Sequence, residues 1–269
     1  FMKGLLKKEE VGHVLTPDAV KAVYMSACAA SSNTFREHLT KLINETELNS
    51  IIIDVKDYSG TISFDTGMNL AGESASGCRV SDMKDFIKSL HEQNIYVIAR
   101  ITVFQDPYYT AKVDPKVAVT KKSDGTIWKD HKGLSFVDVG AKDYWKYIVD
   151  LSRASYEIGF DEINFDYIRY PSDGNMKDIY FPHSQPNWQA NDPYPKATEL
   201  KKFFAYLQEE LKKDGITMSA DLFGMTMTNP DDLNIGQILE YALPYFDYIA
   251  PMVYPSHYFA GFNGWANPN

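Results

Sequence analysis

Six short apolar runs, with amphipathic helical patterns between them, constrain this chain more than any other feature. The runs fall at 21–27, 50–56, 95–104, 162–170, 216–223 and 247–254. Several are nearly continuous in apolar residues, as in parallel strands covered on both faces. Helical stripes lie between them. Phe35, Leu39, Leu42 and Ile43 follow Asn33 as a candidate N-cap, and Met83, Phe86, Ile87 and Leu90 follow Ser81. Others cover 143–157 and 232–243, the latter stopped by Pro244; the clearest comprises Leu200, Phe203, Phe204, Leu207 and Leu211. This cadence predicts an α/β fold with a parallel sheet and right-handed crossovers. A doubly wound sheet and a (β/α)8 TIM-type barrel both satisfy it. The Gly-x-Gly-x-x-Gly turn of a dinucleotide-binding sheet is absent.

The strand ends favour the barrel. Period-two alternation places Ile51, Ile53 and Val55 on one face and Ile52, Asp54 and Lys56 on the other. By the same rule Arg100 and Thr102 share a face with Ile98. Asn164, Asp166 and Ile168 oppose Ile163, Phe165 and Tyr167; Ser219 and Asp221 oppose Met218, Ala220 and Leu222; Ala250, Met252 and Tyr254 lie together. Polar groups gathered at the C-terminal mouth are what a barrel active site looks like. The purely structural alternative is a salt-bridge lattice, Asp54, Asp166 and Asp221 against Lys56, Arg100 and Arg169, holding the mouth shut.

Charge narrows the function. Over 269 residues, 27 basic against 36 acidic side chains give a net charge of −9, which argues against nucleic acid as a partner. No run of about 18 apolar residues is present, so no transmembrane segment is expected. The first residues lack the apolar core of a secretory signal. Cys28 and Cys78 match no zinc motif, and ordinary cysteine usage favours two free thiols; because one follows strand one and the other lies in the loop after strand two, a disulfide is geometrically possible. The six histidines are scattered, without a metal-binding pair.

No Gly-x-Ser-x-Gly elbow and no phosphate-binding loop occurs. A mouth built from carboxylates suits cleavage of a glycosidic bond, one carboxyl group acting as acid and another as nucleophile or base, with no cofactor. Asp166 and Asp221, on adjacent strands, form the candidate pair, with Asp54 across the mouth; which of them is the acid stays open. Arg100 and Arg169 are charge-setting neighbours, and Asn164, Tyr170, Trp188, Tyr254, His257 and Tyr258 complete the expected sugar-binding groups. The long connection 171–195, with Trp188 among its aromatics, reads as a functional loop. Two alternatives remain: a non-catalytic glycan-binding or envelope scaffold, and a metal-assisted hydrolase in which the three Asp hold a divalent cation.

Five blocks then carry a resemblance: Ile52-Ile53-Asp54-Val55-Lys56-Asp57, Tyr96-Val97-Ile98-Ala99-Arg100-Ile101, the run from Gly159 to Gly174 containing Asn164-Phe165-Asp166-Tyr167-Ile168-Arg169-Tyr170-Pro171, Ser219-Ala220-Asp221-Leu222-Phe223-Gly224, and Ala250-Pro251-Met252-Val253-Tyr254-Pro255-Ser256-His257-Tyr258. On these the chain resembles the putative glycosyl hydrolase domain family of bacteria, a (β/α)8-barrel group. The resemblance implies residues 20–269 as the barrel domain after a 1–19 extension. It makes Asp166 the nucleophile candidate, and Asp221 stands where related barrels often carry Glu. No particular substrate carries over from the family; a polysaccharide or oligosaccharide substrate is the expectation from the carboxylates and aromatics of the mouth. The resemblance implies an extracellular or cell-envelope location. It also implies two further βα units, so the chain reads as a barrel C-terminally truncated after about six, with strands one and six left as edges.

Overall fold

The structure, a computed structural model, describes residues 12–73, 75–258 and 260–267, without the side chain of His257. Six strands form its main sheet: β1 (Ala22–Met25), β2 (Ser50–Lys56), β3 (Tyr96–Thr102), β4 (Glu162–Asp166), β5 (Thr217–Phe223) and β6 (Tyr248–Met252). Each pairs in parallel with the next, in unbroken chain order. A doubly wound sheet reverses its strand order partway, so consecutive order selects the barrel class. The sheet curls into a half-barrel; among the described residues β1 and β6 each pair on one side only.

Helices α1 (Ala27–Ala30), α2 (Asn33–Glu45), α3 (Met83–His91), α4 (Lys142–Ile158), α5 (Pro195–Leu211) and α6 (Leu239–Ala242) lie between the strands. The outward row of the sheet is fully buried beneath this layer: Ile51, Ile53 and Val55 on β2, Val97, Ala99 and Ile101 on β3, Ile163 and Phe165 on β4, and Met218 and Ala220 on β5. From the helix side, α3 contributes Met83, Phe86, Ile87 and Leu90, and α5 contributes Leu200, Phe203, Phe204, Leu207 and Leu211. Each large apolar side chain buried there contributes roughly 1.5–3 kcal/mol.

Four expectations are corrected. The helix expected over 232–243 shrinks to Leu239–Ala242, because Leu233, Asn234 and Gly236 adopt left-handed backbone that no α-helix accommodates. The strand expected over 162–170 ends at Asp166. Helix α2 begins at Asn33 itself, with Ser32 before it, and Asp82 rather than Ser81 precedes α3. Cys28 and Cys78 are joined in a disulfide with their Cα atoms 4.6 Å apart, which overturns the free-thiol expectation and ties the β1 and β2 loops together.

The long loops after β3 and β4 fold against each other. Thr120–Lys121 pairs antiparallel with Ile179–Tyr180, and the buried Trp128 donates from Nε1 to the Asn175 carbonyl at 3.0 Å. At Gly174 (φ +114°) a Cβ would stand 2.5 Å from the Trp128 ring, so only glycine lets the two loops close into one wall beside the mouth. At the opposite end of the sheet the amino-terminal segment is pinned: Asp161 accepts from the Val14 backbone N–H at 2.8 Å, and His13 stacks on Tyr156 at 4.0 Å.

Candidate active site

The inward row of the sheet converges on Arg100. Register sets Asp54, Arg100, Asn164 and Ser219 side by side across β2 to β5, with Thr102 opposite Asp166. Arg100 Nη1 donates to Asp54 Oδ1 at 2.7 Å, Nη2 donates to Asp166 Oδ2, and Nε lies 3.9 Å from Asp221 Oδ2. One guanidinium thus touches all three candidate carboxylates. Tyr24, on β1, donates its hydroxyl to Asp54 Oδ2. Asp166 Oδ1 accepts from the Tyr167 N–H at 2.6 Å, and Asp221 Oδ1 accepts from Asn164 Nδ2 at 2.9 Å.

These environments differ in kind. Burial pushes the Asp221 carboxyl up to about 7, the Asp166 charge adds to the rise, and the Asn164 hydrogen bond and Arg100 only partly oppose it. Burial also raises Asp54, against the pull of Arg100 and the Tyr24 hydroxyl. Burial likewise raises Tyr24, helped by its bond to Asp54. Arg100 is raised as well, since Asp166 and Asp54 outweigh a burial that by itself favours the neutral form. Two buried polar atoms here have no hydrogen-bond partner, Thr102 Oγ1 and Asn164 Oδ1.

The network forms a wall of open cavities; it does not seal the mouth. A cavity of about 670 Å³ on the β1–β2 side is bordered by Tyr24, Asp54, Asp57, Tyr58 and Lys132. A second, of about 530 Å³, is bordered by Phe223, Leu233, Ile235, Met252 and Tyr254. Arg100, Tyr167, Arg169 and Ser172 border both. A third, of about 410 Å³, reaches Asp166 and Asp221 together. Inside the half-barrel, beneath Asp221, a fourth of about 400 Å³ is lined by Glu162, Asn164 and Ser219.

Asp54, Asp166, Asp221, Arg100 and Asn164 are brought together as expected, with Arg169 and Tyr254 at the rim. Other expectations fail. Tyr170 is fully buried, donates to Ser184 Oγ at 2.9 Å and packs edge-on against Phe181. Trp188 joins that cluster, 6.0 Å from Phe181, away from the mouth. Tyr258 packs tilted against Phe262 at 4.5 Å and borders none of these cavities. The side chain of His257 lies outside the described residues. Lys56 leaves the mouth lattice altogether: fully buried, it pairs with Asp106 at 2.9 Å and donates to the Thr102 carbonyl at 2.6 Å. Tyr24, Tyr167 and Glu162 are site residues that sequence reasoning missed. Tyr24 was legible in principle, as a polar-tipped residue on the inward row of β1, opposite Ile52.

Solved structures share this architecture. A hypothetical protein from Ruminiclostridium thermocellum is 31% identical over 74% of this chain and 96% of its own, with a TM-score of 0.62. The PgaB (BpsB) glycoside hydrolase domain from Bordetella bronchiseptica is 11% identical, with 88% of this chain and 75% of that one covered, at a TM-score of 0.62. A maltogenic alpha-amylase from Thermotoga neapolitana is 13% identical over 86% of this chain, at a TM-score of 0.51, and the chain spans 48% of its length. At such identities the last two speak for the fold alone. No curated protein sequence matches the chain. The model of the putative glycosyl hydrolase domain family matches residues 22–269. With nearly the whole chain matched, and with a barrel mouth lined by carboxylates, the chain belongs to the putative glycosyl hydrolase domain family.

Proposed function

We propose that this domain, residues 20–269, hydrolyses glycosidic bonds of a polysaccharide or oligosaccharide with Asp221 as general acid and Asp166 as nucleophile. The observation that carries the reading is the unequal treatment of two neighbouring carboxyl groups. Asp166 accepts from the Arg100 guanidinium and from a backbone N–H, while Asp221 is pushed up to about 7 and holds its proton below that pH. An acid that protonates the leaving oxygen beside a carboxylate that meets the anomeric carbon is the division of labour this hydrolysis needs. Asp54 and Tyr24 orient Arg100 from the far side.

The metal-assisted alternative is less well supported by the donor set. The three Asp point at one guanidinium, and among the described residues no group of three or more His, Cys, Asp or Glu gathers as a metal site. The Cys28–Cys78 disulfide supports an oxidising compartment, in keeping with an extracellular or envelope location. The test is reducing-end release from a panel of soluble polysaccharides, with the wild-type chain beside Asp166→Asn. Product from the wild type alone is expected. Glycan binding without product from either protein would select the non-catalytic scaffold.

A further inference from the structure

Among the described residues six non-glycine residues have positive φ, and Tyr167 is the only aromatic of these. Four of the others are Asn, which tolerates this backbone well; a bulky ring does not, and such strain persists where surrounding structure holds it. Tyr167, at φ +52°, directly follows Asp166. Its own N–H points back to Asp166 Oδ1 at 2.6 Å, and its carbonyl accepts from the Phe104 N–H at 3.2 Å, so the strained peptide is fastened at both ends. The left-handed turn has a second consequence. Extended backbone would send the residue after Asp166 to the helix-packed face, whereas here Tyr167 borders both mouth cavities and meets Arg169 with its ring.

The ring is also backed. The Arg169 guanidinium lies 4.8 Å from its centroid and is itself held by the Tyr170 carbonyl and Ser172 Oγ, each at 3.1 Å. A partly buried ring, stiffened on one side by a fixed cation and standing between a polar and an apolar cavity beside Asp166, presents a flat apolar surface where a sugar ring would sit. Pyranose rings carry C–H faces that stack on such surfaces. Resting on the hydrolase reading above, we propose that Tyr167 is the stacking platform for the sugar at the cleavage point, and that its left-handed backbone is what brings the ring into the mouth. A hexopyranose unit with an unobstructed C–H face is the ligand class it selects.

Three variants test this, each assayed for reducing-end release and for retardation in gels containing the same polysaccharides. Tyr167→Phe keeps the ring and is expected to stay within about threefold of wild type in KM. Tyr167→Leu loses it, and KM rises about tenfold, the loss of a single aromatic contact. Tyr167→Asn suits the left-handed backbone, so its Tm rises above wild type while its KM rises as in Tyr167→Leu; a residue with a merely structural role would not move the two apart in this way. The proposal is overturned if Tyr167→Leu and Tyr167→Asn bind and cleave like wild type, or if Tyr167→Phe loses as much as Tyr167→Leu. A wild type that neither binds nor cleaves any glycan of the panel overturns the hydrolase reading and this one together. Wild-type turnover with KM unchanged in Tyr167→Asn overturns this one alone.

Discussion

Replacing Asp221 with Asn separates the cost of the site from its use. The carboxyl rises from 3.8 to about 7 on folding, so between those values the folded chain holds a proton that the unfolded chain has released. The sign follows: stability is fullest below 3.8 and is lost as pH rises through about 7, at about 1.36 kcal/mol per pH unit. Between pH 5 and pH 8 about two of those units are crossed, so the wild type loses roughly 3 kcal/mol over that interval. Asn carries no such charge, keeps an oxygen for Asn164 Nδ2 and puts an amide in place of Oδ2, which lies 3.9 Å from Arg100 Nε. The stability gap between Asp221→Asn and wild type therefore moves in the variant's favour by about 2–3 kcal/mol from pH 5 to pH 8, roughly 4–12 °C in Tm for a chain of this size. Thermal melts of both proteins at the two pH values read it directly. Hydrolytic activity reports the same proton: the wild type loses turnover as pH rises past about 7, and the variant lacks the acid that this limb reports. A gap that stays constant within about 0.5 kcal/mol across the interval would refute the assignment of Asp221 as a carboxyl held protonated by its site.

Three further outcomes are expected. Lys56→Met strands the fully buried Asp106 and lowers unfolding free energy in urea by about 3–5 kcal/mol, while Lys56→Met with Asp106→Leu recovers much of the loss, since the pair then leaves as a unit. Cys28→Ser with Cys78→Ser opens a loop of 50 residues and costs up to about 4 kcal/mol, seen as a lower Tm that matches that of the reduced wild type. At Asp161, burial favours the neutral acid, but bonds from His13, His91 and the Val97 N–H outweigh it and hold the carboxyl below its ordinary 3.8. Its stabilisation is present above 3.8 and fades as pH falls through the depressed value, so melts of Asp161→Asn and wild type differ at neutral pH and converge in strong acid.

What the sequence made legible was whatever a strand's alternation alone determines. Asp54, Arg100, Asn164 and Asp221 lie inside regular strands, and period two assigns their face correctly; consecutive parallel pairing then brings them to one point. The rule fails one residue past a strand's end. A strand read through to residue 170 puts Tyr167 on the helix-packed face, and nothing in the local pattern announces the left-handed turn. Distance along the chain hid the rest. Tyr170 looks like a site aromatic until Ser184 takes its hydroxyl and Asp138, 46 residues before Ser184, anchors that serine in turn. Lys56 has the parity of a mouth residue, yet a carboxylate from the loop after β3 reaches its ammonium group first.

The same failures bear on how the site works. Regular strands present polar groups at alternate positions and fixed spacing, which suffices to gather carboxylates around a guanidinium but leaves little flat surface for a sugar beyond Tyr24. Much of the contact area lies just beyond a strand end, with Tyr167 after β4, Tyr254 after β6 and Tyr58 in the loop after β2, beside Tyr24 within β1 and Phe223 at the end of β5. Charge is therefore placed by the rigid sheet and shape by the loops. On this division, changes at Asp54, Arg100 or Asp166 should act on turnover across every substrate alike. Changes at Tyr58, Tyr167 or Tyr254 should instead reorder the preference among glycans while the pH limb set by Asp221 stays where it is. Profiles of kcat/KM over several polysaccharides, for one variant of each class, distinguish the two; a loop variant that scales all substrates equally would break the division.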